Sequence, residues 1–249
     1  MKLYFAGTEG RWLFTIVLQH TRTMLVSAFH LGYRANIQHR VELCNLVVDS
    51  GGFTARMRGE KIPVEDYAMF LNRNGVKLAF NLDSADPLET ARNQAFLEVS
   101  TPAYIIPIYH VSDYLDARYR PLIDSYVANY PFVAVGGVAG VVLSGAQLLG
   151  FMDHVFSRTL NTVKVHGLGI TTQRLMEMYP FYSVDSTSWL APAKWGTTRT
   201  ISSTQLNRVK FWTKEVPKKR RLHAEVEYYL HQMKVLTRLW EARGVSWDD

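Results

Sequence analysis

The sequence predicts an α/β fold, a (β/α)8 TIM barrel over residues 1–190, followed by a basic and helical C-terminal extension over residues 191–249. Three observations predict it. Eight short apolar runs alternate with helix-like segments. The length of 249 residues is close to the roughly 250 that one barrel needs. An apolar content of 47% is sufficient for one large core. A doubly wound open sheet is the competing architecture, but eight repeats favour a closed barrel.

The eight predicted strands are short apolar runs that end at polar residues or glycines. They cover residues 3–6, 24–29, 45–49, 76–83, 104–109, 131–138, 163–169 and 181–186. Helices are predicted between them at residues 10–20, 64–74, 87–100, 112–127, 144–159 and 171–178. Pro87 suits the first turn of its helix and Ser144 suits an N-cap. This alternation implies parallel strands with right-handed crossovers.

The C-terminal extension divides into a basic segment and one long helix. Between residues 208 and 221 the chain has seven basic residues and one acid, with Phe211 and Trp212 inside the run. An amphipathic helix is predicted from Leu222 to Arg243, and Gly244 is a stop signal. We expect the apolar face of this helix to pack on the barrel.

Composition limits the class of protein. The single cysteine, Cys44, provides neither a disulfide nor a Cys-based zinc site, which is typical of a reducing, cytoplasmic setting. No apolar run approaches the roughly 20 residues of a membrane span, and the N-terminus is too short for a secretory signal. The net charge of +6 favours polyanionic partners, although a solvated basic surface has the same count.

Three acids and two glycine-rich segments stand at the ends of predicted strands. The acids are Asp49, Asp83 and Asp185, and the glycine-rich segments are Gly136-Gly137 and His166-Gly167. In a parallel barrel the carboxyl ends of all strands meet at one mouth, where barrel enzymes carry their catalytic residues. Any one of these acids could instead cap a helix or be a satisfied core carboxylate. The whole set predicts an active site.

The ordered motifs resemble the tRNA-guanine transglycosylase family. The segment DSGGF at 49–53 resembles the third-strand signature of that family, with Thr54 where Gln is usual. Four further segments resemble family strands in the same order, at residues 25–31, 135–140, 166–171 and 184–186. The resemblance covers about residues 1–190.

The resemblance implies base exchange in a nucleic acid. Asp185 would attack C1′ of a target guanosine and form a covalent glycosyl-enzyme intermediate. Asp49 would act as general acid, and then as base for an incoming 7-deazaguanine. Asp83 would hold the Watson–Crick edge of the base, and the backbone N–H groups of Gly136 and Gly137 would donate to its carbonyl oxygen.

The same resemblance implies further substrate-binding residues. Phe53 and His166 occupy the two positions that would sandwich the base. The family usually has Met at the second position, so His166 either stacks on the base or is an ordinary packed histidine. Ser50, next to Asp49 in the signature, is also assigned to the substrate. The base-reading Gln of the fifth strand is absent; Tyr109 or His110 stands there, and we assign Tyr109.

Departures from the family favour DNA as the substrate. The zinc subdomain and the RNA-binding appendage of archaeal members are missing, so no metal or cofactor is expected. The compact form resembles phage-encoded DNA 7-deazaguanine transglycosylases, which place a preQ0-like base in DNA. The target base would have to leave the stack to reach the barrel. The nucleic acid would be held by residues of the basic run, unless that run is a solvated loop: Trp212, Lys214, Lys218, Lys219, Arg220 and Arg221.

Other functions stay open at this stage. One is the same exchange on tRNA. Another is a non-catalytic nucleic-acid-binding subunit, although the presence of both Asp49 and Asp185 disfavours it. A third is a small-molecule enzyme such as a deazapurine nucleoside hydrolase, which needs no basic arm. Family members often pair, which implies a homodimer, and a phage origin would place the protein in the host cytoplasm.

Overall fold

The computed structural model describes residues 1–137, 143–159, 162–191 and 217–247, and the backbone of residues 197–198 and 211–212. Nine parallel strands form its main sheet: β1 Lys2–Phe5, β2 Thr23–Ser27, β3 Asn45–Asp49, β4 Leu78–Phe80, β5 Tyr104–Ile106, β6 Ile108–His110, β7 Phe132–Gly136, β8 Lys164–Gly167 and β9 Ser183–Ser186. Their order is β5-β4-β3-β2-β1-β9-β8-β7-β6. Two short segments, β10 Thr197–Thr198 and β11 Phe211–Trp212, pair antiparallel to each other.

The two edge strands of the main sheet, β5 and β6, are consecutive in the chain. Only Pro107 separates β5 from β6, and β5 pairs with β4 while β6 pairs with β7. The carbonyl of Ile106 accepts from Asn81 N at 3.0 Å, and that of Pro107 accepts from Ala134 N at 2.8 Å. The chain therefore forms a nearly closed barrel with eight strand positions, which confirms the predicted fold class. Pro107, which has no N–H, divides the predicted fifth strand.

The helices lie around the barrel. They are α1 Arg11–Leu18, α2 Ala28–Leu31, α3 Gln38–Leu43, α4 Gly52–Met57, α5 Val64–Arg73, α6 Pro87–Ser100, α7 Val111–Leu115, α8 Leu122–Asn129, α9 Gly145–Thr159, α10 Gln173–Met178 and α11 Lys218–Ala242. The single helix predicted over 112–127 is wrong, because α7 and α8 are separate. Between them Asp116 accepts from Arg118 N at 3.0 Å, and Pro121 has no N–H to continue a helix. The helices α2, α3 and α4 were not predicted, since four to six residues carry too little periodicity.

The long helix α11 begins four residues before its predicted start at Leu222. Its buried face contacts α1, α10 and β1, so it lies where the eighth helix of the barrel belongs. Trp240 Nε1 donates to Met176 O at 2.8 Å, and the amino group of Met1 donates to Thr237 at 2.9 Å. The helix predicted as an extension thus packs on the barrel and completes its helical layer.

Side chains inside the barrel change in character from one end to the other. A compact layer of apolar residues fills the middle: Leu25, Val47, Phe80, Ile106, Ile108 and Ala134. At the carboxyl ends of the strands, Ser27 pairs in register with Asp49, and Tyr4 of the interior pairs with Asp185. Small and acidic side chains therefore lie at the carboxyl ends of the strands, next to the packed apolar layer.

Candidate active site

Asp49 is held at the point where β3 ends. Its Oδ2 accepts from Gly51 N at 2.9 Å, and Gly51 has a φ of 83°. Ser50 is buried; its Oγ accepts from Gly52 N at 3.2 Å and its carbonyl accepts from Tyr33 at 2.7 Å. These bonds turn the chain sharply into α4. Ser50 therefore supports the turn with its side chain, which differs from the substrate contact we assigned to it.

We expect Gly51→Ala to remove about 3 kcal/mol or more of stability, from strain at positive φ and overpacking together. An added Cβ would lie 2.3 Å from Phe29 Cβ and 2.8 Å from Ser27 Oγ. The matched control is Gly59→Ala, where φ is 71° but no atom lies within 4 Å of the added carbon. It should cost only about 1 kcal/mol. Urea unfolding of both variants measures the difference. Equal losses would contradict the crowding at Gly51.

The pKa of Asp49 is raised from its ordinary value to about 7. Burial is the largest cause, because it disfavours the charged form, and the negative charges of Asp83, Asp185 and Glu9 add to it. The bond from Gly51 N–H acts in the opposite direction. The two outer acids, 136 residues apart in the chain, thus act on each other electrostatically across the mouth.

Asp83 follows β4 and is clamped by two cationic groups. Arg56 donates to its carbonyl oxygen at 2.5 Å and to its Oδ2 at 3.1 Å, and His110 Nε2 lies 3.0 Å from the same Oδ2. Burial raises the pKa of Asp83, but the bond and charge of His110 and the charge of Arg56 outweigh burial and lower that pKa below its ordinary value. Asp83 is therefore a carboxylate at neutral pH and can only accept hydrogen bonds.

His110 ends β6 and faces the mouth, whereas Tyr109 does not. Burial lowers the pKa of His110, but Asp113 and Asp83 raise it to about 9, so the ring is cationic at neutral pH. Tyr109 is fully buried in the layer between strands and helices, and its hydroxyl donates to Arg120 O at 2.9 Å. This corrects the assignment of Tyr109 to the substrate. At this strand the residue beside the other acids is His110.

Asp185 is oriented by a buried histidine and a backbone amide. Its Oδ1 accepts from Gly169 N at 2.8 Å and lies 3.2 Å from His166 Nε2. The other ring nitrogen of His166 lies 2.8 Å from Ser183 Oγ. The His166 side chain has 0% exposure, and its ring centroid is 4.7 Å from that of Phe80. Of the two alternatives for His166, the packed histidine is the one observed, since a wholly buried ring cannot face a base.

The glycine pair lies beside His110. Gly137 has a φ of 77°, and a Cβ added there would lie 3.4 Å from the His110 ring. A Cβ added at Gly136 would lie 3.1 Å from the Leu168 side chain. Gly136 and Gly137 therefore leave the space next to Asp83 and His110 open, because glycine has no side chain. Phe53, the second residue of α4, is half exposed at the same end of the barrel.

Each of the three acids keeps one carboxylate oxygen for another partner. Within the described parts of the chain, no hydrogen bond reaches Oδ1 of Asp49, Oδ1 of Asp83 or Oδ2 of Asp185. No Lys or Arg of those parts forms an ion pair with Asp49 or Asp185. Such a set can provide one carboxyl group that exchanges a proton near pH 7, one fixed anion and one oriented nucleophile.

Two further mouth residues were not predicted. Glu9, in the loop after β1, accepts from Ser27 N at 3.0 Å, and Arg40 donates to its carbonyl at 2.9 Å. Arg56, which clamps Asp83, lies on α4. A signal for Glu9 was available, because it is an acid that lies three residues after the first predicted strand. Nothing local to Arg56 distinguishes it from other surface arginines.

The predicted basic run is only partly described. Trp212 has its side chain outside the described residues, and Lys214 lies outside them altogether. Lys218, Lys219 and Arg220 are exposed in the first turn of α11, and Arg221 is half buried.

This first turn lies at the mouth end of the barrel. The Lys218 ammonium is 5.4 Å from the centre of the Trp12 ring. Trp12 is the second residue of α1, the helix that follows the carboxyl end of β1. Arg11, beside Trp12, is also exposed. The described basic residues and one partly exposed indole thus flank the mouth.

A cavity of about 610 Å³ opens at the opposite end of the barrel. It is lined by aromatic residues that include Tyr104 and Phe132, the first residues of β5 and β7, and by Trp247. The amino ends of barrel strands usually contribute stability instead of chemistry. The acids all lie at the other end, so the mouth is the better candidate site.

Compared with protein-family models and with curated proteins, the chain has no significant match to either. Within the described residues, no group of three or more His, Cys, Asp or Glu side chains is placed to hold a metal ion. No helix in the described ranges has the length and apolar character needed to cross a bilayer. The arrangement of acids at the mouth is therefore the main guide to function.

Proposed function

We propose that this protein is a guanine transglycosylase that exchanges guanine in DNA for a preQ0-like 7-deazaguanine through a covalent Asp185 intermediate. One observation carries the proposal most. The pKa of Asp49 is raised to about 7 by burial and by the charges of Asp83 and Asp185. Three acids that influence one another at a barrel mouth are typical of a reacting centre. The resemblance of the ordered strand motifs supplies the reaction class.

The proposed first step breaks the glycosidic bond. The free Oδ2 of Asp185 attacks C1′, the bond from C1′ to the guanine nitrogen breaks, and protonated Asp49 gives its proton to the departing base. In the second step, Asp49 takes the ring N–H proton of the incoming 7-deazaguanine. The freed nitrogen attacks C1′, and the ester to Asp185 breaks. A pKa of about 7 suits Asp49 to both proton transfers, because neither protonation state is then rare.

Asp83 is proposed to read the base. Its clamped carboxylate can only accept, and guanine presents two adjacent donors on its Watson–Crick edge, at N1 and at the 2-amino group. Adenine presents an acceptor at N1, so it would face the Asp83 anion with a lone pair. The backbone N–H groups of Gly136 and Gly137 are proposed to donate to the guanine carbonyl. The half-exposed Phe53 ring is proposed to cover one face of the base.

The proposed nucleic-acid partner is supported by charge. The chain has a net charge of +6, and the exposed Lys218 of α11 lies beside the Trp12 indole at the mouth end. Cations that contact phosphates and an aromatic ring that stacks on a base are the usual elements of single-strand recognition. DNA is favoured over tRNA because the single cysteine cannot form the Cys-rich zinc site that tRNA enzymes of the resembled family carry.

The direct test is incorporation of labelled guanine. The protein is incubated with radiolabelled guanine and either duplex DNA, single-stranded DNA or tRNA, and label in the polymer is measured after precipitation. We expect label in DNA and none above background in tRNA. Label in tRNA alone would overturn the DNA assignment, and label in none of them would overturn the exchange itself.

Replacing Lys218, Lys219 and Arg220 together by Gln should weaken DNA binding and leave kcat at saturating DNA unchanged. For every phosphate that the variant no longer neutralises, the slope of log affinity against log salt should fall by about 0.7 to 0.9. The matched control is Lys234→Gln with Arg238→Gln, on the same helix beside Met1 at the opposite end. Fluorescence anisotropy across a salt series measures both variants. Equal effects of the two variants would contradict an interface at the mouth.

His166→Met should slow exchange by up to about 100-fold, mainly in kcat, because a misplaced nucleophile is costly. The substitution removes the donor that lies 3.2 Å from Asp185 and leaves KM nearly unchanged, since the buried ring touches no substrate. His166→Gln, which can still donate, should recover part of the loss. A change confined to KM would contradict this positioning role.

A further inference from the structure

Tyr67 is a wholly buried side chain whose hydroxyl bonds to two neighbouring strands. It lies on α5 with 0% exposure, and its hydroxyl donates to Phe80 O at 2.9 Å and to Val48 O at 3.2 Å. A hydroxyl has one proton, so the two carbonyls share it. Phe80 ends β4, and Val48 is the last residue but one of β3. The hydroxyl therefore links the ends of the two strands that lead to Asp49 and Asp83.

The backbone ladder between β3 and β4 is short at this end. Within the described residues, these strands pair in register only at Val48 and Ala79, whereas β2 and β3 pair along their whole length. The ladder therefore sets the separation of the carboxyl ends of β3 and β4 only weakly. The Tyr67 hydroxyl bonds to both strands at the point where their pairing ends, so it adds a link that the ladder does not provide.

The chain between β4 and Asp83 is held firmly. Residues 80–82 are buried. The Asn81 side chain donates to Thr90 O at 2.9 Å, and the Leu82 carbonyl accepts from a side chain of α6 at 2.8 Å. On β3, no residue separates the carbonyl that Tyr67 contacts from the acid. A shift of either carbonyl is therefore expected to move an acid of the mouth.

The Tyr67 hydroxyl lies within electrostatic reach of both acids. Burial is the largest cause that raises the pKa of Tyr67 well above its ordinary value, and Asp49, Tyr33 and Asp83 add to it in that order. The Tyr33 ring lies edge-on to Tyr67, with 6.4 Å between the ring centroids. Tyr67 is therefore a neutral hydrogen-bond donor throughout the pH range in which Asp49 titrates.

We propose that Tyr67 is a positioning residue whose hydroxyl sets the separation of Asp49 and Asp83. Its effect on exchange depends on the proposed function, because a guanine held by Asp83 must present its departing nitrogen to Asp49. Misplacement of reacting groups by about 1 Å can cost on the order of 100-fold in rate. The separation of the two acids is nevertheless a property of the chain, and it can be tested without any reaction.

The test is Tyr67→Phe, which keeps the ring and removes the shared proton. We expect the kcat of exchange to fall about tenfold, with KM nearly unchanged. The charges of Asp83, Asp185 and Glu9 act on Asp49, and a wider gap to Asp83 weakens the first of these and admits water. The pKa of Asp49 should therefore fall. Because the first step needs protonated Asp49, the alkaline limb of the pH–rate profile should move down by about one unit.

Tyr109→Phe is the matched control. Tyr109 is also 0% exposed, and its hydroxyl also donates to a backbone carbonyl, that of Arg120, at 2.9 Å. This variant should lose a similar amount of stability in urea but keep the wild-type pH–rate profile. Carbon-13 NMR titration of the Asp49 carboxyl group reads its pKa in each variant without any substrate.

A second variant at the same position keeps a weaker bond. Tyr67→4-aminophenylalanine replaces the hydroxyl by an amino group, and N–H donors form longer hydrogen bonds than O–H donors. The pKa of Asp49 in this variant should lie between those of wild type and Tyr67→Phe. Should Tyr67→Phe fail to fold, an Asp49 titration in the amino variant identical to that of wild type would overturn the positioning role.

The remaining outcomes separate this role from the proposed function. The same Asp49 titration in wild type and Tyr67→Phe would overturn the positioning role, even if stability fell. An equal shift in Tyr109→Phe would also overturn it, because the effect would then not be specific to Tyr67. A shift confined to Tyr67 variants, in a protein that exchanges no guanine, would retain the positioning role and overturn the transglycosylase.

Discussion

Asp185→Asn is expected to lower guanine exchange by at least about 10³-fold and to abolish the covalent protein–DNA adduct. The amide cannot form the ester, yet its oxygen can still accept from Gly169 N, where the carboxylate accepts now at 2.8 Å. The fold should therefore survive the change. The measurement is denaturing electrophoresis of protein mixed with labelled DNA, in which the wild type yields a slow band that the variant lacks.

The control for Asp185→Asn is Asp124→Asn. Asp124 is an exposed carboxylate on α8 that pairs with Arg158 at 2.7 Å, and it is not one of the mouth acids. It should form the adduct as the wild type does. A slow band that persists in Asp185→Asn would assign the nucleophile to another residue, and the first step proposed above would fail.

Asp49→Asn is expected to abolish exchange and at the same time to stabilise the protein at pH 8. The pKa of Asp49 is about 7 in the folded state against its ordinary value of 3.8. A raised carboxyl pKa means that stability is full below the unfolded pKa and falls as pH rises through the folded one. Ionised Asp49 thus costs up to about 4 kcal/mol above pH 7, and Asn does not have this cost.

The stability gain of Asp49→Asn should therefore be larger at pH 8 than at pH 5, by about 2 kcal/mol. Urea unfolding at the two pH values gives the comparison. Asp83→Asn is the control, because it removes one of the charges that raise the pKa of Asp49. In that variant the decline of stability with pH should be smaller. A gain that is equal at both pH values would show that Asp49 does not carry the raised pKa.

The sequence predicted the barrel and its acids because both follow from local pattern. Runs such as 45–49 show where a strand stops, and parallel strands bring their ends together whatever the distance along the chain. Short helices such as α4 carry too few residues for a periodic signal. The clamp of Arg56 on Asp83 joins helix α4 to the loop after β4, 27 residues along the chain, which no local pattern reveals.

The sequence could have shown that His110, and not Tyr109, faces the mouth. Side chains alternate along a strand, and Ile106 and Ile108 both point into the barrel. Strict alternation therefore sends Tyr109 outwards and His110 inwards. The resemblance drew attention to the wrong one of two neighbouring positions. The burial of His166 was harder to foresee, since it depends on Phe80 and Ser183 from other strands.

The length of α11 has a consequence for the entropy of association. Twenty-five residues of helix span about 37 Å, so one rigid rod carries its basic first turn at the mouth and its bonds to Met1 and Met176 near the far end. Lysines on a free loop would lose backbone freedom whenever they met a phosphate. Here folding has already ordered the backbone of Lys218 to Arg220. A larger part of the free energy of each charge contact therefore contributes to the binding affinity.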